Sequence, residues 1–100
     1  MRARQVPAAR QLGRYFRRNG YVRRQNSSRL ASEGYERYKK GDEVRLVAET
    51  GAELRLIRRL LRELGFKPGR PFRRGRQYRQ PVYGRQEVER FLEVIDAEDA

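Results

Sequence analysis

Residues 43–65 read EVRLVAETGAELRLIRRLLRELG, and the hydrophobic period changes within this one passage. Val44, Leu46 and Ala48 alternate with Arg45, Val47 and Glu49, the period of two expected of a strand. Over residues 51–64 the apolar side chains Leu54, Ile57, Leu61 and Leu64 recur at i, i+3, i+7 and i+10, with Leu60 widening the stripe. That spacing predicts a helix with one buried face, and Arg55, Arg58, Arg59 and Arg62 fall on its outward side as solvated surface. Thr50 followed by Glu53 fits a capping box, in which hydroxyl and carboxylate satisfy orphan amides of the first turn. Gly65 supplies the left-handed stop.

Upstream, Lys40-Gly41-Asp42 reads as a turn with Gly41 at positive φ, and Tyr21 to Gln25 as a strand. An opening helix starts near Pro7, a residue favoured in a first turn, and ends before Gly20. Ala9 and Gly13 are small residues four apart on one of its faces, a spacing that lets two helix backbones approach closely. Downstream, Phe72 to Tyr83 reads as a hairpin turning at Arg74-Gly75, with Tyr78, Gln80 and Val82 facing opposite to Gln77 and Arg79. Pro68, Pro71 and Pro81 confine that hairpin to edge or strand-end positions. A closing helix follows Gly84, with Val88, Phe91, Leu92 and Ile95 on one face and Glu87 at its positive start. Residues 26–39 fit a long loop, a short helix through Leu30, or an extra strand from Tyr35 to Tyr38. The order predicts an α+β fold, αββαββα, with a four-stranded mainly antiparallel sheet and helices packed on one face. It forms a single domain over residues 1–95, followed by an acidic tail at 96–100.

A chain of 100 residues is one domain's worth. Cys and His are both absent, which excludes disulfides, thiolate or imidazole zinc sites and every triad with a His base. No apolar run approaches the length of a membrane span. The 25 Lys and Arg outnumber the 13 Asp and Glu, for a net charge of +12. The excess is segregated: residues 1–85 carry 24 basic and 7 acidic side chains, residues 86–100 one basic and six acidic. Met1 to Ser32 and Leu64 to Gln86 contain no acid at all. Their aromatics (Tyr15, Phe16, Tyr21, then Phe66, Phe72, Tyr78, Tyr83) alternate with arginines, a pattern of strands with one buried and one basic face. Such a surface attracts polyanions, nucleic acid first. Arginine outnumbers lysine 22 to 3, which supplies planar forks suited to phosphates and guanine edges. The acid-free opening has the composition of a transit peptide, but Gly13, Gly20, Tyr15 and Phe16 suit a fold, and no secretory apolar core is present. The expected location is intracellular: cytoplasmic, or nucleoid-associated in a bacterium.

Leu12-Gly13-Arg14-Tyr15-Phe16-Arg17-Arg18-Asn19-Gly20 at the end of the first helix resembles the signature of LAGLIDADG homing endonucleases, whose core has the same αββαββα order. Leu12 matches the signature leucine, Gly13 its small residue, Tyr15 and Phe16 its apolar positions, and Gly20 its closing glycine. The Lys40-Gly41 turn, the Leu60 to Phe66 helix end, the hairpin before Gly84 and the Val88 to Leu92 segment are similar too, so the likeness runs from about Ala8 to Ile95. The resemblance implies a sheet that saddles the DNA major groove and a signature helix that pairs with a second copy. A single-copy chain would then form a homodimer, with Ala9, Leu12, Gly13 and Phe16 along the first helix as the dimer-interface candidates. Arg14 stands where the signature has its second small residue, and would crowd that crossing. The resemblance also places a metal-binding acid immediately before the closing glycine, where this chain has Asn19, and another acid at Arg17. Mg²⁺-assisted hydrolysis needs hard anionic oxygens, so no catalytic or metal-binding residue is expected there, and no cofactor.

The expected contact residues follow from alternation on the strands: Arg23, Arg24 and Gln25 in the first, Arg45 in the second, and Arg70, Arg73, Arg74, Arg76, Gln77 and Arg79 in the hairpin. Gln25, Gln77 and Gln80 have the amides for bidentate adenine reading, while most of the arginines neutralise phosphates. Double-stranded DNA is the expected partner and a membrane is not. RNA, as for a maturase-like or ribosome-associated protein, is the alternative. An endonuclease with relocated acids (Glu33, Asp42 and Glu43 being the nearest in sequence) and a module for an acidic protein partner are the others.

Overall fold

The computed structural model describes residues 5–24 and 41–99. Its elements are α1 (Gln5–Asn19), β1 (Tyr21–Arg23), β2 (Glu43–Ala48), α2 (Gly51–Glu63), β3 (Phe72–Arg74), β4 (Gln77–Tyr83) and α3 (Arg85–Asp99), the expected αββαββα order. The sheet order is β1-β2-β4-β3, with every neighbouring pair antiparallel. Residues 26–39 and Gln25, for which the sequence left three readings and a strand respectively, lie outside the described residues.

The helices cover one face of the sheet. Val44, Leu46, Ala48 and Val82 point from β2 and β4 into a core completed by Ala9, Leu12, Ile57, Leu61, Val88, Phe91 and Ile95. The fully buried Phe91 is its largest side chain, and burial of such a side chain stabilises by about 1.5–3 kcal/mol. Its ring meets Phe16 edge-on at 5.5 Å and Phe66 at 5.7 Å, tying α3 to α1 and to the end of α2. α1 and α2 lie antiparallel and adjacent: Gln5 Nε2 donates to the Glu63 carbonyl at 3.3 Å, while at the other end Arg18 is paired with Glu53.

The expected start and stop of α2 are both present, with one difference. Thr50 Oγ1 accepts from the Glu53 amide at 3.1 Å. The returning Glu53 carboxylate, however, accepts from the Glu49 amide at 3.0 Å, one residue before the cap. At the other end Gly65 has φ 82°, and the amides of Gly65 and Phe66 donate to the carbonyls of Arg62 and Leu61. This is a Schellman closure that delivers Phe66 into the core. Arg90 finishes the job by donating to the carbonyls of Leu64 and Gly65 with its guanidinium 3.9 Å above the Phe66 ring.

Two expectations need correcting. Pro81 is not at an edge: it sits in β4, a central strand, opposite Arg45 of β2. The ladder tolerates it because a strand residue's nitrogen and carbonyl point to the same side, and the Pro81 carbonyl accepts from the Gly69 amide at 2.9 Å. The missing N–H therefore faces the segment preceding β3, and β2 loses no bond. The acidic run is also not a tail: α3 continues through Asp99, since no Gly or Pro interrupts residues 85–99.

Candidate nucleic-acid interface

Strand alternation and the register put Tyr21, Arg23, Glu43, Arg45, Val47, Phe72, Arg74, Gln77 and Arg79 on the sheet face away from the helices. The centre of that face is not a bare basic surface. Val47 is 1 % exposed, Glu43 7 %, and the Arg45 side chain 13 %. Arg45 donates to Glu43 at 3.0 Å and to the Tyr21 phenol at 3.3 Å, and its guanidinium stands 5.0 Å over the Phe72 ring. Burial pushes the Tyr21 phenol up, but hydrogen bonds from Arg45 and Arg79 outweigh it and hold the group below its ordinary value. Arg79, half-buried, donates to Gln77 at 2.9 Å. Arg45 and Arg79 are thus braces within a polar layer, whereas the sequence reading offered them as open contacts.

The two β1-side arginines are exposed but neutralised. Arg23 pairs with Glu43 at 3.1 Å, and Arg24 with both Asp42 at 3.2 Å and Glu89 at 2.7 Å. The hairpin differs. Arg70, Arg73, Arg74 and Arg76 are all exposed, and among the described residues none of them has an ion-pair partner. Arg73 only lies over the Tyr78 ring, 5.4 Å from its centroid. A two-residue turn, Gly75-Arg76, makes this tip possible: Gly75 takes φ 63°, as the first central position of a II′-type hairpin loop requires. The acid-free sequence of residues 64–86 means that no neighbour along the chain neutralises these guanidiniums.

Gln80 must be withdrawn as a base reader. It lies on the helix side of β4 and is fully buried, with its oxygen accepting from Arg58 at 2.6 Å and its amide donating to the carbonyls of Gly69 and Pro81. Arg58, expected as solvated surface, is the half-buried partner in that network and also donates to the Gly69 carbonyl at 3.0 Å. Gln77 does face outward, but its amide is bound to Glu49 at 3.0 Å.

The dimer-seam candidates are corrected on similar grounds. Ala9 and Leu12 are fully buried in the chain's own core, and Phe16 packs on Phe91. Gly13 is buried with the Arg17 guanidinium over it, where an added Cβ would come within 2.7 Å of that head. The side of α1 turned to solvent carries Pro7, Arg10, Arg14 and Arg17, so no small-residue stripe is left for a second helix.

Around Asn19 the structure brings together residues that the sequence reading missed. Asn19 Nδ2 donates to Glu49 Oε1 at 3.2 Å, the same oxygen that receives the Gln77 amide. Glu53 lies next to it, gripped by Arg18, whose hydrogen bond holds the Glu53 carboxyl below its ordinary value of 4.5 against the opposing effect of burial. The relocated acids nominated earlier are elsewhere: Asp42 and Glu43 hold Arg24, Arg23 and Arg45, and Glu33 is outside the described residues. The available signal was the register, since matching Val44 to Val82 carries Glu49 alongside Gln77. The two carboxylates are separated in role by a cation, and among the described residues no group of three acids could hold a metal. Gly20 fits this corner sterically, since an added Cβ would lie 2.9 Å from the Phe16 Cα and 3.0 Å from the Arg45 carbonyl.

Set against known protein families, characterised proteins and solved structures, the chain matches none. Among the described residues no helix is long and apolar enough to cross a membrane.

Proposed function

We propose that the protein binds nucleic acid, double-stranded DNA first, through the β3–β4 hairpin, and that it does so without cleaving it. The observation that carries this reading is the contrast in charge pairing. Arg23, Arg24 and Arg45 are each matched to a carboxylate, while Arg73, Arg74 and Arg76 on the hairpin and Arg70 just before it are exposed and have no carboxylate partner among the described residues. Such guanidiniums repel one another and gain no ion pair in the free protein, but each can displace a counterion from a phosphate. The polar layer of Arg45, Arg79 and Tyr21 beneath holds the hairpin against β2, which keeps the cations in fixed register. Nothing here needs a divalent metal. In this reading the LAGLIDADG-like signature is the relic of a catalytic helix end, and Asn19 is tied to Glu49 rather than to a cation.

The test is a gel-shift comparison of two charge-matched variants on random-sequence duplex. Arg74→Gln/Arg76→Gln weakens binding by about tenfold or more, because two phosphate contacts are lost. Arg23→Gln/Arg24→Gln removes the same formal charge from paired sites and weakens it by less than about threefold. Equal losses, or stronger competition by a structured RNA than by unlabelled duplex at matched salt, would contradict the reading.

A further inference from the structure

The helical layer carries a second charge pattern that the hairpin does not absorb. α1 has Arg10, Arg14 and Arg17, and α2 has Arg55, Arg59 and Arg62, each set at i, i+4 and i+7 and all exposed. That spacing aligns each set along one helix face, here the face opposite the buried stripe. Because α1 and α2 run antiparallel side by side, the two rows form one surface. α1 contains no acid at all. On α2, Glu53 is held by Arg18, and Glu63 reaches Arg59 at 3.6 Å with both side chains largely in solvent, a pair of little energetic weight. Arg10 and Arg17 have partners within the chain and are set aside. Among the described residues Arg14, Arg55 and Arg62 have no ion-pair partner, and Arg59 is only loosely matched.

Like charges at i and i+4 destabilise a helix, so this pattern costs stability in the free protein. A polyanion removes that cost. The row from Arg55 to Arg62 spans about 10 Å along its axis. A duplex presents one charge per about 1.7 Å, enough to meet every cation in the row. The surface points away from the sheet, whereas Arg74 and Arg79 point from the other face. A duplex is stiff over about 150 base pairs and cannot lie straight along both.

We propose that the outer surface of α1 and α2 is a second binding surface for duplex DNA, so that one monomer bridges two duplex segments. The bridging rests on the hairpin reading for its first duplex, while the helical surface is carried by different residues.

The experiment tethers one duplex to beads, adds the full chain, and measures retention of a second, fluorescent duplex. Light scattering establishes that the chain is monomeric at the concentration used. Wild type is expected to retain the second duplex, and Arg14→Gln/Arg55→Gln/Arg62→Gln to retain at least about tenfold less while still binding one duplex. These positions are exposed, and an unchanged thermal melt verifies that the variant folds. Wild type that binds one duplex but never two overturns the bridging and leaves the hairpin reading standing. Bridging undiminished in the triple variant also overturns it. So does a variant that loses attachment to phosphatidylserine vesicles while keeping the second duplex, because the surface would then serve a lipid headgroup.

Discussion

Asn19 donates from Nδ2 to Oε1 of Glu49 across 3.2 Å, joining the end of α1 to the residue that follows β2. An aspartate in place of Asn19 would set two carboxylates against each other there, a repulsion relieved only by a shared proton or a bound cation. The amide instead donates to the carboxylate, and Gln77 donates to the same oxygen. With Arg18 holding the neighbouring Glu53, the corner is closed by hydrogen bonds between its own residues.

The expected outcome is that supercoiled plasmid incubated with the protein and Mg²⁺ or Mn²⁺ stays intact. Metal-dependent nicking that disappears in Glu49→Gln would show that the corner does hold a cation. A plasmid-relaxation gel over a time course is sufficient to decide.

Gln80 should matter for stability and not for binding. Gln80→Ala removes three hydrogen bonds and opens a cavity at a fully buried position, leaving the Arg58 guanidinium and the Gly69 carbonyl with only each other. The loss is expected to be about 2–4 kcal/mol in urea unfolding. Affinity for duplex at a temperature where the variant is folded should be unchanged.

The Arg18–Glu53 pair makes a prediction about acid. Glu53 has a folded value below its ordinary 4.5, chiefly through the Arg18 hydrogen bond, so its ionised form favours the folded state. The contribution is present in full above about pH 4.5 and drains away as the pH falls through the depressed folded value. Glu53→Gln should therefore be less stable than wild type near neutrality, with the difference shrinking on acidification. Thermal melts from neutral to acid would reveal this; a gap that stays constant or widens would refute it.

Much of the fold could be read from the chain because two periods change cleanly at Thr50 and again around Gly84. Alternation at Val44, Leu46 and Ala48 needs only local geometry, and so does the Leu54–Leu64 stripe. What was illegible depends on which element lies across from which. Pro81 reads as an edge residue until the Gly69 amide is found on its nitrogen side. Gln80 and Arg58 both read as polar surface, and only their mutual approach across the β4–α2 interface buries them. Ala9 and Gly13 suit a seam between chains as well as a seam within one, and nothing in α1 alone separates the two. In the candidate site the exposed hairpin arginines were legible from the acid-free run. The pairing of Arg23 and Arg24 was not, because their carboxylates come from Glu43 of β2, from Asp42 just before it and from Glu89 of α3, whereas Glu43 reaches Arg45 from two residues back along β2 itself.

The most direct measurement is the salt dependence of duplex binding by wild type and by Arg73→Gln/Arg74→Gln/Arg76→Gln. Four hairpin contacts contribute a slope of about −3.6 in log affinity against log salt, so the variant should be shallower by close to 3. A flat wild-type response, or the same slope in both proteins, would contradict the claim that the unpaired hairpin guanidiniums grip the phosphates.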